Sequence, residues 1–141
     1  MKKYNRGYTA GVFDLFHIGH LNVLKGAKER CDYLIVGVST DEVVKENKNK
    51  VPVIPYDQRA DIVGAIKYVD EVVPQNAYDI DYKIKTAVEK QIDVMFVGSD
   101  WQGSDKWNKI ETELKKIGVD VVYLPHTDGI SSTLLKGKLE K

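Results

Sequence analysis

Apolar residues in this chain fall into short runs separated by stripes at helical spacing. Tyr33 to Val38 is nearly continuous and β-branched, as expected of a strand covered on both faces. Val94 to Val97 and Val119 to Leu124 have the same character. Tyr8 to Val12 makes a weaker first strand, and Val69 to Val73 a short one that Pro74 is expected to end. Between these runs, Leu21, Leu24, Ala27 and Lys28 share a helical face. Ile62, Val63, Ile66 and Lys67 make a second face, Ile84, Ala87 and Val88 a third, and Ile110, Leu114 and Ile117 a fourth. Gly118 stands where a helix C-terminal glycine is expected. Ser131 and Ser132 could cap a last short helix starting near Thr133. Lys45 to Pro55, rich in Lys and Asn and holding two prolines, reads as an exposed, mobile loop.

Strand and helix alternate throughout. That pattern predicts one α/β domain over residues 1–141, a doubly wound, Rossmann-like, parallel five-stranded sheet with helices on both faces. Ligands of such sheets bind at the carboxyl ends of the strands, where the strand order switches direction. Lys plus Arg and Asp plus Glu number 21 each, so the formal net charge is zero. This balance argues against a broad nucleic-acid or membrane surface, though a local lysine cluster could still bind phosphate. The single cysteine, Cys31, rules out an internal disulfide and reads as a small buried thiol rather than a nucleophile. No run resembles a signal peptide or is long enough to span a bilayer, so a cytoplasmic location is the default expectation.

The chemistry concentrates between the first strand and first helix, in Gly11-Val12-Phe13-Asp14-Leu15-Phe16-His17-Ile18-Gly19-His20. Gly11 permits close backbone approach. Gly19 leaves room beside the histidines and exposes amides at a helix N-terminus, where the dipole favours an anion. Histidines three apart on a helix project to one side. Two imidazoles aimed at one anion can stabilise the charge that grows on a phosphate during displacement. A metal pair is the competing use, but the only other histidine is His126. Two structural histidines are the other alternative.

The segment from Gly11 to His20 resembles the signature of the HxGH nucleotidyltransferases. More narrowly, it is similar to the cytidylyltransferases that act on glycerol 3-phosphate, phosphocholine and phosphoethanolamine. The resemblance continues in Asp32 to Glu42, at Arg59, in Lys67 to Pro74, in Gly98 to Gly103, and closes with Thr127 to Thr133. It implies transfer of CMP from CTP to a small phosphorylated alcohol, with glycerol 3-phosphate first. The product would be a nucleotide-activated precursor of a cell-surface polymer. It implies that His17 and His20 act in catalysis together with Lys50 and His126. Val12, Phe13, Gly19, Asp100 and Trp101 would join them around the nucleotide. Thr127, Gly129, Ile130, Ser131, Ser132 and Thr133 would hold its β- and γ-phosphates at the start of the last helix. Asp14, Lys48 and Arg59 would face the acceptor, Arg59 with the alternative of bracing the loop.

Where the family normally has an arginine, this chain has His126. A histidine can donate a hydrogen bond but is not a permanent bidentate cation. Val12 stands where the glycerol-phosphate enzymes often have threonine. The resemblance also implies a homodimer and Mg²⁺ carried with the nucleotide, with no metal site of the protein's own. A phosphocholine enzyme would need an aromatic or acidic cage, for which Tyr78 and Tyr82 are candidates. An ATP-using adenylyltransferase and a non-catalytic nucleotide-binding regulator are the remaining alternatives. Trp107 reads as helix packing.

Overall fold

The computed structural model describes residues 3–125. Along them run β1 (Tyr4–Gly11), α1 (Ile18–Lys28), β2 (Cys31–Ser39), α2 (Asp41–Lys48) and α3 (Tyr56–Gly64). There follow β3 (Glu71–Gln75), α4 (Ile80–Glu89), β4 (Val94–Gly98), a 3-10 turn (Ser99–Trp101), α5 (Asp105–Lys115) and β5 (Asp120–Leu124). The strands pair in the order β3-β2-β1-β4-β5, every pair parallel. From β1 the chain winds outward through β2 to β3, then returns to the other side of β1 for β4 and β5. The switch point therefore lies between the carboxyl ends of β1 and β4.

Each face of the sheet carries its own core. Leu24, Ala27 and Val63 from α1 and α3 pack with Leu34, Val36, Val38 and Phe96. Ala87, Ile110 and Leu114 from α4 and α5 pack with Tyr8, Ile35 and Met95. In β2 the alternation is direct: Leu34 and Val36 serve one face and Ile35 the other. Each fully buried aliphatic side chain here contributes about 1.5–3 kcal/mol. Cys31 is buried, and its thiol donates to the Ala27 carbonyl. Gly118 adopts the left-handed φ of +81° foreseen after α5.

Several boundaries differ from the sequence expectation; β1, for one, runs from Tyr4 to Gly11 rather than from Tyr8 to Val12. Lys45 to Lys48 belong to α2 rather than to a loop. Thr40 caps this helix, Asp41 and Glu42 fill its first turn, and Val43 and Val44 are buried. Two adjacent apolar residues are too few to make a helical stripe visible in sequence. Strand β3 does not stop before Pro74 but runs to Gln75. It is the sheet edge, paired only with β2, so the missing proline donor interrupts no second ladder. Finally, α3 starts at Tyr56 and ends at Gly64, which leaves Ile66 and Lys67 beyond it. Val88 and Ile117 are exposed and do not share the buried faces assigned to them. The last helix expected near Thr133 lies outside the described residues.

Candidate active site

The link from β1 to α1 is tightly wound. Phe13 and Leu15 have φ of 55° and 50°, a region that bulky residues rarely occupy. Such conformations persist only where surrounding contacts hold them. Phe13 is buried, and its ring meets Phe16 and the edge of His20. A side-chain carbon on Gly11 would come within 3.2 Å of the Phe13 ring, so glycine lets that ring fold back under the strand end.

The two histidines cap α1 reciprocally. His17 Nδ1 accepts the Gly19 N–H at 3.1 Å, and His20 Nδ1 accepts the His17 N–H at 3.1 Å. Their rings stack with centroids 3.9 Å apart. An Nδ1 that accepts a backbone proton leaves the ring's own proton on Nε2. Each neutral ring thus offers one Nε2–H donor. Burial, the neighbouring His17 and, in the opposite sense, Asp14 set the His20 pKa at about 4. Burial also lowers that of His17. At neutral pH both rings are hydrogen-bond donors rather than cations. The Gly19 amide, expected to face an anion, is instead occupied by His17.

A titration checks this assignment. The His20 imidazole resonance should stay neutral through pH 6 and move only near pH 4. The folded pKa lies below the unfolded value of about 6.5, so the unfolded state binds more protons between the two. Its stability contribution is therefore present above pH 6.5 and lost as pH falls toward 4. Denaturant unfolding against pH reads that loss, and a His20 midpoint near 6.5 would contradict it.

A cavity of about 500 Å³ opens at the carboxyl ends of β1, β2 and β4. Of the sequence-selected residues, Val12, Phe13, Asp14, His20, Lys48, Lys50 and Trp101 line it. His17 stacks on His20 but does not line the cavity itself, and neither do Gly19, Arg59 and Asp100. Lys48 closes α2, and Lys50 follows Asn49, whose left-handed backbone ends that helix. Lys83 and Lys106 line the cavity with them, and Asp14 is the only acidic side chain lining it among the described residues. The wall is built for an anion.

Asp14 and Arg59 hold this wall in shape. The Asp14 carboxylate accepts the amides of Val53 and Ile54 at 2.8 and 2.9 Å. Arg59 is 1% exposed. Its guanidinium donates to the carbonyls of Ile54, Val12 and Ser39, each at 2.7 Å, and to the Asp41 carboxylate at 2.6 Å. Of the two readings given for Arg59, this geometry fits the brace: it joins Val12 just after β1, Ser39 of β2, Asp41 of α2 and the following loop.

Sequence reasoning missed Lys83. It is 7% exposed on the buried side of α4, four residues before Ala87. Its ammonium donates to the Tyr78 carbonyl at 3.2 Å and lies 5.5 Å from the Trp107 ring centroid. Burial, then Lys106, lower its pKa to about 8 against a smaller opposing effect of Asp79. The available signal was a lysine in phase with an apolar stripe. Trp107 both packs on the α4–α5 core and lines the cavity. Tyr78 and Tyr82, the candidates for a phosphocholine cage, do not come together at the cavity. Tyr78 lines the cavity, while Tyr82 does not, and its hydroxyl donates to the Pro74 carbonyl. His126, Thr127, Gly129, Ile130, Ser131, Ser132 and Thr133 lie outside the described residues.

The family model described as cytidylyltransferase-like matches residues 8–138. The glycerol-3-phosphate cytidylyltransferase of Bacillus subtilis (strain 168) is 40% identical over 131 residues, 93% of this chain and 94% of that protein. An FAD synthase of Thermococcus kodakarensis is 36% identical over 127 residues, 89% of this chain and 83% of the relative. Among solved structures, the lipopolysaccharide core biosynthesis protein from Thermoplasma volcanium GSS1 superposes with a TM-score of 0.69 at 25% identity. It covers 87% of this chain and 96% of its own.

Proposed function

The chain belongs to the cytidylyltransferase-like family, an enzyme family of nucleotidyltransferases, and from that premise we propose that it transfers CMP from CTP to glycerol 3-phosphate. The observation that carries this reading is the switch-point cavity, lined by His20 of the histidine-capped helix start, by four lysines and, among the described residues, by one carboxylate.

In the proposed reaction, a phosphate oxygen of glycerol 3-phosphate attacks the α-phosphorus of CTP. The bond from that phosphorus to the bridging oxygen breaks, and pyrophosphate leaves with the electron pair. The products are CDP-glycerol and pyrophosphate. No protein nucleophile is required, because orientation and electrostatic stabilisation lower the barrier in such transfers. The Nε2–H of His20, with His17 stacked behind it, donates to the oxygens on which charge accumulates. Lys48 and Lys50 neutralise nucleotide and acceptor. Lys83 supplies a further cation for the acceptor anion. Trp101, 48% exposed on the β4 side, offers a face to the base.

Mg²⁺ would screen the triphosphate when bound with the nucleotide. Asp14 already accepts two amides, so phosphate oxygens and water suit the ion better than a ligand set of the protein's own. By the family resemblance alone, His126 and the Thr127 to Thr133 stretch are assigned to the nucleotide phosphates. A homodimer is the assembly implied by the family resemblance, and sedimentation of the purified enzyme checks it.

A phosphocholine acceptor fits this wall poorly. Its quaternary ammonium needs an aromatic or acidic cage, whereas Tyr78 here has the Lys83 ammonium at its carbonyl. A pyrophosphate-release screen of CTP and ATP against phosphorylated alcohols tests the reading. Release with CTP and glycerol 3-phosphate supports it, and release with ATP alone sinks it. The KM for glycerol 3-phosphate should also rise above about pH 8, where Lys83 loses its proton. In Lys83→Met the KM should be high throughout and this rise absent.

A further inference from the structure

Tyr8 is a residue of the central strand that this chemistry leaves unused. It is 4% exposed, yet it lines the cavity. Its hydroxyl has no hydrogen-bond partner among the described residues, where every sealed side-chain polar atom has one. The Tyr8 oxygen therefore opens onto the cavity rather than into packed core. An unpaired hydroxyl in such a place is costly unless something occupies the space beside it.

Gly37 makes this placement possible. A side-chain carbon there would overlap the Tyr8 hydroxyl oxygen and come within 2.9 Å of its Cζ. Glycine inside a paired strand carries an entropic cost and often marks a close approach. Ser39 lies two residues on, hence on the same face of β2. Its hydroxyl is already committed: it donates to Gln75 Oε1 at 3.0 Å and accepts from the Tyr78 hydroxyl at 2.9 Å. In this corner Tyr78, Ser39 and Gln75 satisfy one another, and Tyr8 is the hydroxyl left uncommitted. Burial raises its pKa above the ordinary value, so it stays protonated and can donate as well as accept.

We propose that Tyr8 is a specificity-determining residue whose hydroxyl, seated against Gly37, pairs with a free hydroxyl of the acceptor. The inference rests on the reading of the site as a phospho-alcohol cytidylyltransferase and names the acceptor class as a polyol phosphate. A site built around such a pair rejects an analogue that lacks the hydroxyl, because the protein group is then left unpaired.

Tyr8→Phe removes only the oxygen and keeps the packed ring. Wild type and variant are assayed for pyrophosphate release with CTP and either glycerol 3-phosphate or propane-1,3-diol monophosphate, which lacks the central hydroxyl. The variant's KM for glycerol 3-phosphate should rise roughly tenfold, more than its kcat falls. The wild-type preference for glycerol 3-phosphate over the analogue should shrink by a similar factor. A packing role alone would shift the melting temperature and leave that preference intact. An active wild type whose preference survives Tyr8→Phe overturns the Tyr8 proposal alone. A wild type inactive with glycerol 3-phosphate overturns the functional reading and this inference with it.

Discussion

Turnover of His20→Asn is expected to fall by roughly 10²–10³-fold, the effect of removing one preorganised oxyanion donor, about 3–4 kcal/mol. Its thermal unfolding should stay near that of the wild type. The two effects separate because the imidazole does two jobs with two nitrogens. Nδ1 accepts the His17 amide and closes the helix cap. Nε2 carries the donor available to phosphate. An asparagine Oδ1 stands about where Nδ1 stood, so the cap survives, while nothing replaces Nε2. His20→Ala should lose both, adding roughly 1 kcal/mol of destabilisation for the missing cap. Turnover of His20→Asn equal to that of the wild type would remove the imidazole from the mechanism, and melting curves of the two variants test the cap.

Arg59→Met should destabilise the fold by about 3 kcal/mol, chiefly because backbone carbonyls around the buried guanidinium lose their donor; the Asp41 side chain is 36% exposed and keeps access to water. The methionine stem restores packing but no donors. Three carbonyls at Val12, Ser39 and Ile54 then lose their partner, and the Asp41 carboxylate loses its cation. For a chain of this size the melting temperature should drop on the order of 10 °C. Because Val12 and Ile54 belong to the segments that form the cavity wall, the KM values should also rise. A variant that melts like the wild type but fails to bind phosphate would return Arg59 to the substrate role that its sequence context suggested.

Arg59 shows where sequence reading stops. A guanidinium near phosphate-binding residues can face a ligand or carbonyl oxygens with equal chemical sense. Only the convergence of β1, β2, α2 and the loop decides which oxygens surround it. Lys83 makes the same point from the other side. It lies within an apolar stripe, where lysine usually snorkels to solvent, and the neighbouring α5 with Trp107 closes over it. Tyr8 reads as a strand residue until Gly37 on the adjacent strand leaves space for its hydroxyl.

Local pattern alone determined the order of the strands and of the described helices other than α2, the parallel doubly wound sheet, and the Gly11-to-His20 segment as the candidate site. Those features follow from hydrophobic period and from motifs written in consecutive residues. The tertiary structure decided which partners each polar group found. It made the histidines a mutual cap through Nδ1, leaving the ring protons on Nε2, turned Asp14 and Arg59 into braces, and set Lys83 in the cavity wall. Hydrogen bonding and desolvation depend on distances between residues far apart in the chain, and no periodicity in the sequence encodes them.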